Sequence, residues 1–249
     1  MKLKLWIVVW LFTSYSMAGS IKVAVAANVS YAIEALKKEF SVSHPETNVV
    51  VVLGSSGKLT AQIMHGAPYD LFMSANMLYP QKLYKEQMAV TKPLVYAQGA
   101  LAYLSLKKQD FSKSMILLKE EGIKKIAIAN PKTAPYGIAT VEALKNAKVY
   151  DDIKKKFVYG ESISQTVAYT TTAADIGFIA KSSLYSPQMA HFKKDLNWFD
   201  VNERLYTPIS QGMVILKEGK GNSEVKAFYD FVLSDKAKTI LKAYGYKVK

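Results

Sequence analysis

Apolar residues along this chain form short β-branched runs separated by stretches with helical spacing. IKVAVAA, residues 21–27, is a continuous apolar run of the length of a buried strand. Over residues 30–40, Ile33, Leu36, Phe40 and the small Ala32 share one helical face. His44-Pro45 ends that helix. NVVVVL, residues 48–53, predicts a second strand and residues 58–65 a second helix, which Gly66-Ala67-Pro68 breaks. DLFMS, residues 70–74, is a third strand. Strand, helix, strand, helix, strand in this order predicts right-handed crossovers and a parallel sheet.

The second half repeats the theme. A strand is predicted at 125–129, a loop at 131–137, and a helix at 138–147 with Ala139, Val141 and Leu144 inward. A short strand at 158–160, a helix at 164–172 and a strand at 175–180 follow. The chain finishes with a strand at 211–216 and helices at 223–233 and 235–244, the last capped by Ser234. Two α/β halves of about 100 residues without a flexible spacer imply lobes that exchange strands across a hinge.

The strand-to-helix turns carry the candidate chemistry. GSSGK, residues 54–58, has the look of a phosphate loop but fails the Walker pattern: Val52 stands where the first glycine belongs, and Leu59 follows the lysine in place of Ser or Thr. What survives is a helix start that aims backbone N–H groups and a positive dipole end at one place. Three further turns have this form: Ala26-Ala27-Asn28-Val29-Ser30, the stretch from Asn130 to Gly137, and Gly160-Glu161-Ser162-Ile163-Ser164. In doubly wound sheets such turns gather at the carboxyl ends of the strands, where ligands bind. Taken singly, each is equally a capped helix start, with Asn28, Ser30, Ser55, Ser56, Ser162 or Ser164 as the cap. Taken together, they could converge on a compact anion. Only Lys58 and Lys132 lie near, both free to point outward, so dipoles and neutral donors would do the binding. With no carboxylate but Glu161 close by, a fully deprotonated oxyanion suits such a site.

Composition removes other classes. There is no cysteine, which excludes disulfides, thiolate catalysis and a lipidated amino terminus. The three histidines, His44, His65 and His191, have no metal-binding spacing. Net charge is +13, or +11 without Lys2 and Lys4. Nearly all of it is lysine spread along helices, with Arg204 the single arginine, which points to a solvated basic surface with no nucleic-acid partner. Residues 1–18 read as a signal peptide: Lys2 and Lys4, an apolar stretch from Leu5 to Phe12, and Ser16-Met17-Ala18 as the cleavage site. The mature protein is then exported, to the periplasm in a diderm bacterium.

The chain resembles the periplasmic molybdate-binding proteins of bacterial ABC importers. The resemblance rests on AANVSYAIEAL, GSSGKLTAQI with GAPYDLFMSAN, ANPKTAPYGIATVEAL, DIGFIAKSSL and VKAFYDFVLSDKAKTILKAYGY, in this order along the mature chain. It implies an α/β, two-lobed periplasmic binding protein of type II. Each lobe would be a mixed, mainly parallel sheet flanked by helices, with the ligand in the cleft between them. The lobes would be 19–98 with 208–249, and 99–207. It also implies molybdate or tungstate as the bound ligand, no cofactor, no catalysis, and a permease with its ATPase as partners of a monomer. Carried onto this chain, the ligand-binding residues are the side chains of Asn28 and Ser56 and the backbone N–H groups of Tyr136 and Ile163. Ser30 and Ser55 are additional candidates. Where some members place a coordinating tyrosine, this chain has Ala180. The rival readings are a receptor for another tetrahedral oxyanion such as sulfate, and an exported serine hydrolase using Ser55 or Ser56. The latter lacks a G-x-S-x-G elbow.

Overall fold

The computed structural model describes residues 19–248, so the signal peptide expected at 1–18 lies outside the described residues. Strands β1 (Gly19–Ala26), β2 (Thr47–Gly54), β3 (Leu71–Ser74) and β4 (Leu94–Gly99) alternate with helices α1 (Ile33–Ser43), α2 (Ser56–Met64) and α3 (Leu78–Lys85). Then come β5 (Leu101–Leu104), β6 (Ile126–Ala129), α4 (Pro135–Asn146), the single-turn α5 (Tyr150–Ile153), β7 (Phe157–Gly160), α6 (Ile163–Thr172), β8 (Ile176–Ala180) and β9 (Trp198–Asp200). β10 (Ile209–Ile215), α7 (Ser223–Leu233) and α8 (Asp235–Ala243) complete the fold.

The strands form two sheets, ordered β2-β1-β3-β10-β4 and β7-β6-β8-β5-β9. In each, the first three strands are parallel and the fourth antiparallel: β10 in one sheet, β5 in the other. The chain passes from the first sheet to the second between Gly99 and Leu101, and returns between Asp200 and Ile209. Both sheets are therefore mixed and mainly parallel, as the resemblance implies.

Both faces of each sheet are covered, and the two-residue period of the strands divides the core between them. Ile21, Val23 and Val25 of β1, with Leu71, Met73, Met213 and Ile215, pack under α1 and α7, while Ala24, Phe72 and Val214 face the side of α2. In the second sheet Ile126, Ile128, Phe178 and Tyr103 face one way, and Ala102, Leu104 and Ile179 the other. Full burial of each large side chain contributes about 1.5–3 kcal/mol, so the sheets fix the strand ends firmly.

Several elements begin elsewhere than the pattern predicts. After β1 the chain makes a 3₁₀ turn, Ala27–Tyr31, before α1. Asn28 and Ser30 therefore sit in a tight turn and not in the first turn of the predicted helix. Asn, Ser and β-branched Val are poor in an α-helix interior, and no side chain caps this turn. Helix α4 begins at Pro135, three residues before the predicted start. The proline ring suits the first helical position, where no N–H is needed. Gly137 lets the helix start directly over the end of β6, since a Cβ there would overlap the carbonyl of Ala129. α3, β4, β5 and β9 were not legible, because runs of three to eight residues carry little periodicity.

Candidate functional site

The carboxyl ends of β1, β2 and β3 in one sheet, and of β6 and β7 in the other, meet around a small cavity. The non-atom space there is about 190 Å³, open solvent at its mouth included. Asn28, Ser55, Ser56, Tyr136 and Ile163 all line it, so five of the six residues singled out from the sequence come together. Ser30 does not: it is half-buried and off the wall. The remaining wall is Ala26, Ala27, Gly54, Ala75, Ala134 and Pro135, and no charged side chain is among these residues.

The backbone donors are set by what each turn has already used. In the turn before α4, the N–H groups of Thr133 and Ala134 donate to the Asn130 carbonyl, and Lys132 N–H to Asn130 Oδ1. Gly137 and Ile138 donate to the Ala134 carbonyl, and Pro135 has no N–H. Tyr136 N–H is what this helix start has left, and Tyr136 is on the wall. Before α6, Ser162 is a true cap, its Oγ accepting from Gln165 N–H at 3.2 Å, which leaves the Ile163 N–H in the open first turn.

α2 behaves differently. Ser55 holds the cap position, but its hydroxyl makes no cap bond. Ser56 is fully buried, and its Oγ accepts the Ala75 N–H at 2.9 Å. A hydroxyl that accepts still has its own hydrogen to give, and Ser56 lies against the cavity. The simple capping reading thus fits Ser162 and not Ser55 or Ser56.

Behind the wall lies a buried polar cluster with no counterpart among the sequence motifs. Asn28 Nδ2 donates to Gln211 Oε1 at 2.8 Å and to Tyr246 Oη at 2.9 Å. Tyr246 Oη donates to the Asn28 carbonyl at 2.9 Å, which Ser182 Oγ also reaches at 3.1 Å. Burial pushes the Tyr246 hydroxyl up to about 12, outweighing the opposite pull of its bonds to Ser182 and Asn28. Burial likewise holds Tyr136 well above the usual tyrosine range. Both hydroxyls stay neutral, so the site has no ionised group of either sign. Ala180 ends β8, buried and off the wall. The hydrogen bonds of this cluster join positions 64 to 218 residues apart, and no local pattern announces them.

The two sheets are held shut around the cavity. Gly57 N–H donates to the Thr133 carbonyl at 2.9 Å, and Ala26, Ala27 and Ala75 join one apolar cluster with Ala134, Tyr136 and Ile163. Lys58 and Glu161, both exposed, form an ion pair across the mouth at 3.2 Å. This places the two charges nearest the site outside it. Exposed pairs are weak and screened by salt. Glu161→Gln is therefore expected to weaken ligand binding by no more than about fivefold in dilute buffer. Calorimetry should find the difference gone in high salt.

Two α/β lobes joined by two crossings, shut over a cavity walled with neutral donors at strand ends, define a two-lobed solute-binding protein of type II. The chain belongs to the family described as bacterial extracellular solute-binding protein, whose profile matches residues 21–247. Over 93% of its length it is 35% identical to the molybdate-binding protein ModA of Azotobacter vinelandii, covering 91% of that protein. It is 34% identical to ModA of Rhodobacter capsulatus, over 92% of this chain and 88% of the relative. The solved periplasmic molybdate-binding protein of Azotobacter vinelandii superposes with a TM-score of 0.84 at 31% identity, covering 92% of this chain and 99% of that one.

Proposed function

We propose that this chain is the substrate-binding protein of an ABC importer. It takes up molybdate, and tungstate with it, and delivers the ion to a membrane permease and its ATPase. It is exported by a leader cleaved near Ala18, works in the periplasm as a monomer, and catalyses nothing. Its lobes are 19–98 with 208–249, and 99–207. Asn28, Ser56, Tyr136 and Ile163 hold the ion, with Ser55 in reach. The carrying observation is the cavity wall: donors from both sheets and no charged side chain. The names of the two ModA relatives support the choice of anion.

A dianion satisfies donors on both lobes and so favours the shut arrangement over the open one. Each hydrogen bond to a charged acceptor contributes about 1.5–3 kcal/mol, so a handful of them gives tight binding after desolvation. Fixed donors also select by size, because a smaller tetrahedron cannot reach all of them. The second reading keeps the fold and exchanges the anion for sulfate. A serine hydrolase is disfavoured because Ser56 Oγ is committed to Ala75 N–H and no histidine lines the cavity. Titration with molybdate, tungstate, sulfate and phosphate, read by calorimetry and thermal shift, is expected to give tight binding of the first two alone. Stabilisation by sulfate equal to that by molybdate would overturn the size argument.

A further inference from the structure

We propose that Gln211 is a positioning residue that decides which end of the Asn28 amide meets the bound oxyanion, the two amides turning over together as the ion enters. This rests on the oxyanion reading above. Asn28 lines the cavity and is fully buried. Both its amide hydrogens are directed at Gln211 Oε1 and Tyr246 Oη, and its Oδ1 is buried without a partner. A carbonyl oxygen is the wrong end to offer an anion, since it only accepts. Turning the amide over exchanges its oxygen and nitrogen, and sends the hydrogens to the side where Oδ1 now lies.

Asn28 cannot turn alone. Its Oδ1 would then face Gln211 Oε1 across the 2.8 Å that Nδ2 now spans, two acceptors with no hydrogen between them. Gln211 must turn as well, so that its Nε2 donates to Asn28 Oδ1. Its Oε1 then occupies the place of Nε2, close to the hydroxyl of Tyr136. The two groups crowd one backbone position: a Cβ on Gly99 would collide with Tyr136 Oη and lie 2.9 Å from Gln211 Nε2. Tyr136 Oη is itself buried, with Gln211 as its side-chain hydrogen-bonding neighbour and no acceptor in good geometry. It gains an acceptor when Gln211 turns.

The turned pair therefore serves both orphaned atoms at once. The cost falls at the Ile209 carbonyl: Gln211 Nε2 gives up its 3.3 Å bond there, and the turned Oε1 faces that carbonyl acceptor to acceptor, at longer range than the 2.8 Å clash it relieves at Asn28. Tyr246 is free to donate to Asn28 Oδ1, because Ser182 Oγ still reaches the Asn28 carbonyl. The ladder between β10 and β4 shifts register at Gln211/Gly212. Such irregularities re-aim a side chain beside a site. Since Gln211 belongs to the first sheet and Tyr136 to the helix after β6, the exchange also links the lobes.

Molybdate titration of the wild type, Asn28→Ala, Gln211→Met and the double variant tests this, with NOE spectra of wild-type protein labelled at its Asn and Gln amides. Asn28→Ala is expected to weaken binding about 30-fold and Gln211→Met about tenfold, the range for one hydrogen bond to a charged group. The double variant should lie within about twofold of Asn28→Ala, because without an amide at 28 there is nothing to position. The Asn28 amide hydrogens should show NOEs to the Tyr246 ring without ligand, and lose them with molybdate. Additive losses, or NOEs that molybdate leaves unchanged, overturn the proposal while wild-type binding upholds the oxyanion reading. Wild-type protein that binds no tetrahedral oxyanion ends both.

Discussion

Ser56→Ala is expected to weaken molybdate binding by on the order of 30- to 100-fold, and to destabilise the protein even without ligand. The first effect follows from the one hydrogen Ser56 has to give. Its oxygen is fixed by the Ala75 N–H, its side chain is fully buried, and it stands at the first position of α2, where the helix dipole adds to its donor strength. Removing one hydrogen bond to a charged acceptor costs about 1.5–3 kcal/mol. The second effect has a separate origin. Alanine leaves the buried Ala75 N–H without its acceptor, a loss of about 1–3 kcal/mol. Neighbouring Ser55 provides the contrast: it lines the same cavity, but its hydroxyl makes no cap bond, so Ser55→Ala should lower the melting temperature far less. Calorimetry and thermal unfolding of both variants, side by side, check this. Equal behaviour of the two serines would show that Ser56 is not anchored as described.

Much of this site is legible in the sequence for a definite reason. A parallel α/β sheet puts every strand-to-helix turn on one edge. A reader who finds four such turns has therefore found the wall of the cavity without knowing the fold in detail. Ser56 follows from that rule, whereas Tyr136 and Ile163 were singled out by the family resemblance; each of the three opens or nearly opens a helix. Asn28 is only half legible. Its place after β1 is predictable, whereas the partners of its amide lie on β10 and near the carboxyl terminus. Ala75, after β3, was missed because its contribution is a backbone N–H given to Ser56 and leaves no mark on side-chain type. Strands β4 and β5 were missed because they are only six and four residues long, set on either side of Ala100 with no turn chemistry between them.

Gly57→Ala should separate the closing of the lobes from the stability of either lobe. A Cβ at this position would lie 2.9 Å from both the α-carbon and the carbonyl oxygen of Thr133, and 2.8 Å from Tyr79 Oη. The tyrosine can swing away. The Thr133 backbone cannot, because its turn is tied to Asn130 and to the start of α4. The strain is relieved by moving the second lobe outward, which also breaks the bond from Gly57 N–H to the Thr133 carbonyl. Donors on the far lobe, Tyr136 and Ile163 N–H, then no longer reach an ion held by Ser56. Losing one or two charged hydrogen bonds weakens binding by about 100-fold. The substitution itself lies in the first turn of α2, where replacing glycine by alanine stabilises a helix by up to about 1 kcal/mol. The two effects run in opposite directions: the ligand-free melting temperature holds or rises while affinity collapses. Small-angle scattering should show the wild type compact with molybdate and the variant still extended. A variant that binds and compacts like the wild type would mean that the lobes do not meet at Gly57 when they shut.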